Sequence, residues 1–205
     1  MARRGEELRE HILWQAKDVF LELGFERASM DVVAARAETS KRSLYAHYEN
    51  KEKLFLAVVD FVRDRLRGRL KPPGDYSAEP EAALVEFCGR YLQILWYEKS
   101  IQMVRLCIAE MARFPDASAR YFSIMFDEVE ARLAAYLEDA LALPPADARN
   151  AAQRLLGRLL YPRLPRALFG LDRLAQTMPD DLAPDADLTE VRAAVAELQR
   201  EIRAR

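Results

Sequence analysis

The sequence predicts an all-α fold, and three observations support that prediction. Apolar residues recur at spacings of three and four along most of the chain, as they do on one face of an α-helix. No run alternates apolar and β-branched residues with polar ones, as a half-buried strand would. The 205 residues are 51% hydrophobic, so the chain has enough apolar surface to bury a substantial core.

Four helices are predicted in the first 70 residues. The first carries one apolar stripe and is closed by Gly24, a residue suited to the left-handed conformation after a helix. Ser29 caps a short second helix, and a third follows a tight break and covers about residues 40–47. Asn50 caps a fourth, which we expect to continue to Leu70 before a proline pair ends it.

The rest of the chain is also predicted to be helical. Prolines and a serine mark the predicted ends of the helices. An acidic stretch that contains prolines is predicted to be an exposed loop. The expected elements are helices at 80–97, from Ser100 to a stop at Pro115, at 116–143, at 146–161 and at 188–205, with the loop at 177–187.

Composition excludes several classes of protein. Cys88 and Cys107 form no CxxC pair and there are only two histidines, so we expect no disulfide framework, no metal site and no cofactor. No apolar run approaches a membrane span and no signal peptide is evident, which predicts a soluble, cytoplasmic protein. No serine–histidine–aspartate set, phosphate loop or HExxH motif occurs, which argues against an enzyme.

Charge divides the chain into a basic head and an acidic body. Residues 1–71 hold 15 Lys and Arg against 12 Asp and Glu, whereas the remainder holds 16 against 21. This asymmetry suits a small nucleic-acid reader attached to a second domain.

The two short helices fit the geometry of a helix-turn-helix. Small residues at Ala34 and Ala37 allow the helices to cross closely, and Leu44 and Tyr48 direct the second one towards the core. Its other faces then carry cations, hydroxyls and an aromatic ring, as docking in a DNA groove requires. These residues are Lys41, Arg42, Ser43, Tyr45, Ala46 and His47. Asn50 and Lys51 open the next helix, where free N–H groups and a lysine favour a phosphate.

The segments SMDVVAARA (29–37), SKRSLYAHY (40–48) and NKEKL (50–54) resemble the DNA-binding domain of TetR-family transcriptional regulators. The resemblance covers about residues 8–60. It implies phosphate contacts from Ser29, Tyr45 and Lys51, and base or groove contacts from Lys41, Arg42, Ser43 and His47. Two glycines usual in the family are replaced here, by Glu38 in the turn and by Arg42 in the recognition helix. Glu38 is therefore expected to adopt a left-handed conformation.

The resemblance also implies the organisation of the chain. We expect a DNA-binding domain at 1–50, a connecting helix at 51–71, and an effector-binding and dimerisation domain at 79–205. RLCIAEMARFP (105–115) is similar to the AefR-like subgroup, and helices at about 146–169 and 188–205 form the expected dimer surface.

Soft and aromatic side chains in the second domain predict an apolar effector pocket, although the same residues equally suit a plain core. They are Trp96, Met103, Cys107, Met111, Phe122, Met125 and Phe126.

The function implied is that of a homodimeric repressor, released from a palindromic double-stranded DNA operator by a small apolar effector. The alternatives are a helical small-molecule-binding protein and an activator of the same fold. The fourth helix, expected to be the only continuous element between the two domains, is the predicted route for the signal.

Overall fold

The computed structural model describes the backbone of residues 2–204 and the side chains of residues 5–204. Within that range the chain is helical and has no β-strand, which confirms the predicted all-α class; an isolated parallel bridge joins Tyr97 and Ala175. The helices are α1 (Ala2–Arg27), α2 (Met30–Arg36), α3 (Lys41–His47), α4 (Lys51–Arg67), α5 (Pro80–Leu95), α6 (Glu98–Ala109), α7 (Pro115–Phe122), α8 (Glu128–Leu141), α9 (Pro145–Leu160), α10 (Arg163–Leu168) and α11 (Thr189–Arg203).

Two compact units divide the chain. The first takes in the chain up to Arg65 together with Gln102–Tyr121, and the second takes in Leu66–Ile101 and the chain from Phe122 onward. The segment 102–121 therefore clusters with the N-terminal helices, although it lies inside the range that the sequence predicts for the second domain.

The core of the first unit forms along the apolar stripe of α1. Ile12, Ala16 and Val19 on that stripe have no solvent-exposed surface. Gly24 has a φ of 73° and a ψ of 167°, so it has the positive φ but not the left-handed helical conformation that the sequence predicts, and α1 ends at Arg27 instead of at Gly24. The change of direction at Gly24 places the Phe25 ring on Phe20, with 6.0 Å between centroids.

Local hydrogen bonds set the ends of the short helices as the sequence predicts. The Ser29 hydroxyl accepts from the Val32 N–H at 3.2 Å, and the Asn50 side chain accepts from the Lys53 N–H at 2.8 Å. Glu38 adopts a φ of 48°, so the turn before α3 does contain a left-handed non-glycine residue.

An aromatic cluster joins the segment 102–121 to the N-terminal helices within the first unit. The ring of Phe114, just before α7, lies 5.0 Å from that of Phe25 and 4.8 Å from that of Phe55. Phe20 completes the cluster, 5.3 Å from Phe55. All four rings are buried.

The second unit is built around α5, whose central turns are buried on most faces. The predicted α-helix over 116–143 is interrupted, because residues 123–127 between α7 and α8 form a π-helical turn. The buried hydroxyl of Tyr91 donates to the Met125 carbonyl in that turn at 3.0 Å. Helix α9 packs against α8 and α11.

The end of α4 and the start of α6 differ from the prediction. Helix α4 ends at Arg67 rather than Leu70, because Gly68 disfavours the helix and the Arg69 N–H turns back to Leu66 at 3.0 Å. Ser100 does not cap α6, which begins at Glu98 because the Glu98 N–H is satisfied by the carbonyl of Ala175.

Two prolines also have different roles from those expected. Helix α6 already ends at Ala109, and Pro115 occupies the first turn of α7 instead of stopping a helix, as proline can where no N–H is needed. Pro165 lies in the first turn of the short helix α10, in a stretch where the sequence predicts only a break.

The stretch predicted as a loop at 177–187 has no helix, and a buried arginine of α5 anchors it. Arg90 donates to the carbonyls of Pro179, Asp180 and Asp181 at 2.9, 2.5 and 3.1 Å. Burial lowers the pKa of Arg90. The Nε of Arg90 also donates to the Arg69 carbonyl at 3.2 Å, so four main-chain acceptors compensate for the burial of this cation.

Candidate nucleic-acid interface

Helix α3 is positioned by an inner face that enters the core of the first unit. Leu44 is fully buried and Tyr48 is 5% exposed, as their spacing predicts. Ala34 and Ala37 are also buried, where α2 and α3 approach each other. Burial raises the pKa of the Tyr48 hydroxyl, and the nearby Arg9 partly offsets that rise. The inner face therefore fixes the direction in which the remaining side chains of α3 point.

The outer face of α3 carries the side chains predicted to meet DNA. Lys41, Arg42 and His47 are exposed, and the ring of Tyr45 is 50% exposed. Ser43 is half-buried, and its N–H donates to the hydroxyl of Ser40 at 3.0 Å. The structure thus brings the five predicted residues of α3 onto one short helix beside a tight turn.

One cation of this face is already paired. The ammonium of Lys41 lies 2.6 Å from a carboxylate oxygen of Asp31 in α2, and both side chains are more than half exposed. Asp31 therefore places a negative charge beside the outer face of α3. The sequence contains this pair, but spacing alone does not show that residues ten apart meet across the turn.

Lys51, predicted to contact a phosphate, is bound to the end of α1. Its ammonium donates to the carbonyls of Phe25 at 2.8 Å and Glu26 at 3.2 Å, and it lies 4.3 Å from the centre of the Phe25 ring. A lysine ammonium has three N–H donors, so this arrangement leaves one for another acceptor. Cations are favourable at the C-terminal end of a helix, where carbonyls lack partners.

Ser29 and Arg36 fix α2 against its neighbours. Ser29 is exposed, but its hydroxyl already accepts the N-capping hydrogen bond from Val32. Arg36 makes two hydrogen bonds with the carboxylate of Glu22 in α1, at 3.0 and 2.8 Å. The sequence analysis missed this pair, because the two residues belong to different helices and nothing in either motif marks them.

The residues predicted to line an effector pocket are dispersed. Met103 and Cys107 are buried in the first unit, whereas Met111 in the same unit is 60% exposed. In the second unit Trp96 and Met125 are buried, Phe126 is half-buried and Phe122 is 55% exposed; the rings of Phe122 and Phe126 lie 5.0 Å apart. The structure therefore brings together only subsets of the predicted group.

Trp96 lines a cavity of about 310 Å³ in the second unit, together with residues of α5, α10 and the start of α11. The indole N–H of Trp96 is buried without a hydrogen-bond partner among the described residues, and the Arg163 guanidinium lies 4.7 Å from its ring centre. Leu188 and Val191 give the cavity an apolar wall, and Gln93 adds an amide.

A second concavity, of about 670 Å³, lies between α1 and α4 in the first unit. Five carboxylates line it, against one arginine and one lysine, so its charge is unsuited to a phosphate backbone. The carboxylates belong to Glu6, Glu7, Glu10, Asp60 and Asp64.

The described part of the chain shows neither a membrane-spanning helix nor a metal-binding group. No helix there combines the length and apolar character needed to cross a bilayer. No group of histidine, cysteine and carboxylate side chains in the same residues is arranged to hold a metal ion.

A short exposed helix behind a tight turn, seated on two further helices and followed by a helical second unit, defines a helix-turn-helix regulator of transcription. Comparison with known families agrees. Residues 12–58 match the bacterial regulatory proteins of the TetR family, and residues 82–196 match the C-terminal domain of AefR-like transcriptional repressors. The chain belongs to the TetR family and is a DNA-binding regulator of transcription.

Individual relatives extend the comparison. The transcriptional activator FasR of Mycolicibacterium smegmatis is 36% identical over 94 residues, which are 42% of this chain and 43% of FasR. The chain thus spans less than half the length of this curated relative.

Solved structures match over nearly the whole chain. A TetR-family transcriptional regulator from Mesorhizobium loti MAFF303099 is 25% identical, with a TM-score of 0.77 over 97% of this chain and 98% of that one. The flavonoid-responsive regulator FrrA is 26% identical, with a TM-score of 0.69 over 96% and 97%.

Proposed function

We propose that the protein is a homodimeric repressor that binds a palindromic operator and is released from it by a small apolar effector. The observation that carries the proposal is the outer face of α3, where Lys41, Arg42, Tyr45 and His47 are all exposed beside a rigid turn. Cations, an imidazole and a phenol on one short helix suit both phosphates and base edges.

Two kinds of DNA contact are proposed. Tyr45, Ser29 and Lys51 are assigned to phosphates, because the Tyr45 ring is exposed, the Ser29 hydroxyl still has its proton to donate and one N–H of the Lys51 ammonium is left over. Lys41, Arg42, Ser43 and His47 are assigned to bases or the groove. The N-terminus of α4, which begins at Lys51, adds the positive end of a helix dipole.

Dimerisation is proposed through α9 and α11 with the segment around α10. One recognition helix buries too little surface to specify an operator, whereas a two-fold dimer reads two half-sites. Apolar side chains in that region are unusually exposed: Tyr161 by 75%, Phe169 by 83% and Leu171 by 65%. A second copy that covers them would remove this apolar surface from water.

The effector is proposed to be a small, largely apolar molecule that enters the second domain. The cavity at Trp96 has an apolar wall of Leu188 and Val191, a charged border that includes Arg163 and Glu190, and an N–H donor without a partner among the described residues. This lining suits a flat ring that carries a hydrogen-bond acceptor. FrrA is described as flavonoid-responsive, which is consistent with this class of compound.

The signal is proposed to pass along α4 and also along α6. We expected α4 to be the only continuous element between the domains, and that expectation was wrong: α6 begins in the second unit and continues into the first at Gln102. Segment 102–121 then reaches the aromatic cluster through Phe114. An effector that shifts α6 would therefore act on the first unit directly.

Activation of transcription is the second candidate, and one observation favours it. FasR, with 36% identity over 94 residues, is an activator. The sign of regulation depends on where the operator lies relative to the promoter, so a reporter carrying the protein's own upstream region separates the two. Repression predicts higher expression after deletion of the regulator, and activation predicts lower expression.

Two measurements test the proposed function. Sedimentation at micromolar concentration should show a dimer. A monomer alone would contradict the proposed homodimer. Reciprocal titration tests the effector: a ligand that weakens operator binding 5- to 150-fold must itself bind the operator complex more weakly by the same factor. Equal ligand affinity for free and operator-bound protein would exclude coupling.

A further inference from the structure

Arg113, in the turn between α6 and α7, contacts the C-terminal end of α1. The guanidinium of Arg113 lies 2.6 Å from a carboxylate oxygen of Glu26 and 4.9 Å from the centre of the Phe25 ring. Both partners belong to the last turn of α1, and all three residues lie in the first unit.

Lys51 uses the same two residues from another direction. Its ammonium donates to their carbonyls and faces the Phe25 ring. The last turn of α1 is therefore held by two cations, one from the start of α4 and one from the turn before α7. A change in the position of Phe25 or Glu26 would move the acceptors that orient the Lys51 ammonium.

The turn that carries Arg113 is itself well supported. The ring of Phe114, the next residue, is buried against Phe25 and Phe55. The hydroxyl of Ser118 donates to the Cys107 carbonyl at 2.8 Å and links α7 back to α6. The turn that positions Arg113 against α1 is therefore held by the packing of Phe114 and by the hydrogen bond of Ser118.

We propose that Arg113 is a positioning residue for DNA binding, which acts through Glu26 and Phe25 to orient Lys51 towards a phosphate. The inference rests on the proposed phosphate contact of Lys51. With two donors fixed on the Phe25 and Glu26 carbonyls, the third N–H of Lys51 has a defined direction. Arg113 needs no DNA contact of its own for this role.

The test is a double-mutant cycle between Arg113→Ala and Lys51→Ala. The probe is a duplex selected by the wild-type protein from a random-sequence pool, with the dissociation constant measured between 50 and 200 mM salt. Each phosphate contact of Lys51 that is lost should make the slope of log K against log salt shallower by about 0.9. Between 50 and 200 mM salt, the affinity of the variant should therefore fall roughly 3.5-fold less than that of the wild type. Arg113→Ala should lower the slope in the same direction and weaken binding about threefold at 50 mM.

Coupling distinguishes positioning from a general loss of charge. In the Lys51→Ala background, Arg113→Ala should change the affinity by less than about 1.5-fold, because its effect passes through Lys51. Arg173→Ala, which removes an exposed arginine of the second unit, is the matched control and should leave the slope unchanged. Arg113→Lys should restore part of the slope, because a lysine can still pair with Glu26.

Glu26→Gln provides a second approach that keeps the Glu26 carbonyl and Arg113 in place. It should lower the salt slope by less than Arg113→Ala, since the contact with Phe25 persists. Additive effects of Arg113→Ala and Lys51→Ala, or an unchanged slope in Arg113→Ala, would overturn the inference alone. An unchanged slope in Lys51→Ala itself would overturn the proposed phosphate contact, and the inference with it.

Discussion

The ammonium of Lys51 donates to the main-chain carbonyl of Phe25 at 2.8 Å, across 26 residues of sequence. Lys51 begins the helix that follows the recognition helix, and Phe25 lies in the last turn of the helix that precedes the motif. The Lys51 side chain therefore links the helix before the helix-turn-helix to the helix after it. We also assign Lys51 to a phosphate contact. The same ammonium group therefore contributes both to the stability of the motif and to its affinity for DNA.

Lys51→Ala and Tyr45→Phe should weaken binding to every DNA sequence alike, because phosphates carry no sequence information. Lys51→Ala should also lower the free energy of unfolding by about 0.5–1.5 kcal/mol, since it removes the charged donor from the part-buried Phe25 carbonyl and the exposed Glu26 carbonyl. Parallel titrations of the selected duplex and an unrelated duplex check the first expectation, and urea denaturation checks the second. Loss of affinity for the selected duplex alone would reassign these residues to base reading.

Asp31→Asn should strengthen DNA binding. The substitution removes a carboxylate beside the outer face of α3 and releases Lys41, which lies 2.6 Å from it. Lys41, which is assigned to a base or the groove, then carries an unpaired positive charge next to the DNA, so the gain in affinity should be larger at 50 mM salt than at 200 mM salt. Glu22→Gln is the control, because it removes the same charge from an ion pair that joins α1 to Arg36 of α2 and does not involve a residue of α3. Weaker binding by Asp31→Asn would mean that the pair is needed to hold Lys41 in place.

Phe114→Ala should destabilise the first unit by about 3–5 kcal/mol, as large-to-small changes of buried aromatic residues do. The ring contacts Phe25 and Phe55, so its loss opens a cavity where segment 102–121 meets the N-terminal helices. Phe114→Leu keeps most of the volume and should cost less than half as much. Urea denaturation measures both; a loss below about 1 kcal/mol for Phe114→Ala would show that this segment contributes little to the unit.

The thiols of Cys88 and Cys107 should be unreactive in the folded protein at pH 8. Burial raises the pKa of each thiol to about 12, so neither is ionised at that pH, and the thiolate is the nucleophile. Because the folded state holds these protons more tightly than the unfolded state, their contribution to stability is complete below about pH 9 and declines as the pH rises further. Labelling with a thiol reagent, with and without urea, checks this; Cys88→Ala and Cys107→Ala identify which site reacts. Rapid labelling without urea would contradict it.

Sequence predicted those parts of the motif that depend on neighbours along the chain. The capping bonds of Ser29 and Asn50, and the left-handed Glu38, involve residues three or fewer positions away. The pairing of Glu98 with Ala175 and of Lys51 with Phe25 could not be predicted, because the partners are brought together only by packing. The start of α6 was therefore misplaced, and Lys51 was assigned a phosphate without its structural role.

The effector residues show the same limit. Helical spacing placed Met103 and Cys107 in the core, but it did not distinguish them from Met111 four residues later, which is 60% exposed. Pocket lining depends on which helices enclose a space, and that information is absent from a single helix.

The central claim is that the outer face of α3 reads a two-fold symmetric DNA site, and a base-preference selection tests it most directly. Wild-type protein should enrich one palindromic motif from a random-sequence duplex pool. The single variants Lys41→Ala, Arg42→Ala, Ser43→Ala and His47→Ala should each relax preference at particular symmetric positions, by about 1–3 kcal/mol for a lost base contact. The variants Lys51→Ala and Tyr45→Phe should retain the motif at lower affinity. Failure of the wild type to enrich any symmetric motif, or a motif unchanged by all four variants of α3, would contradict the account.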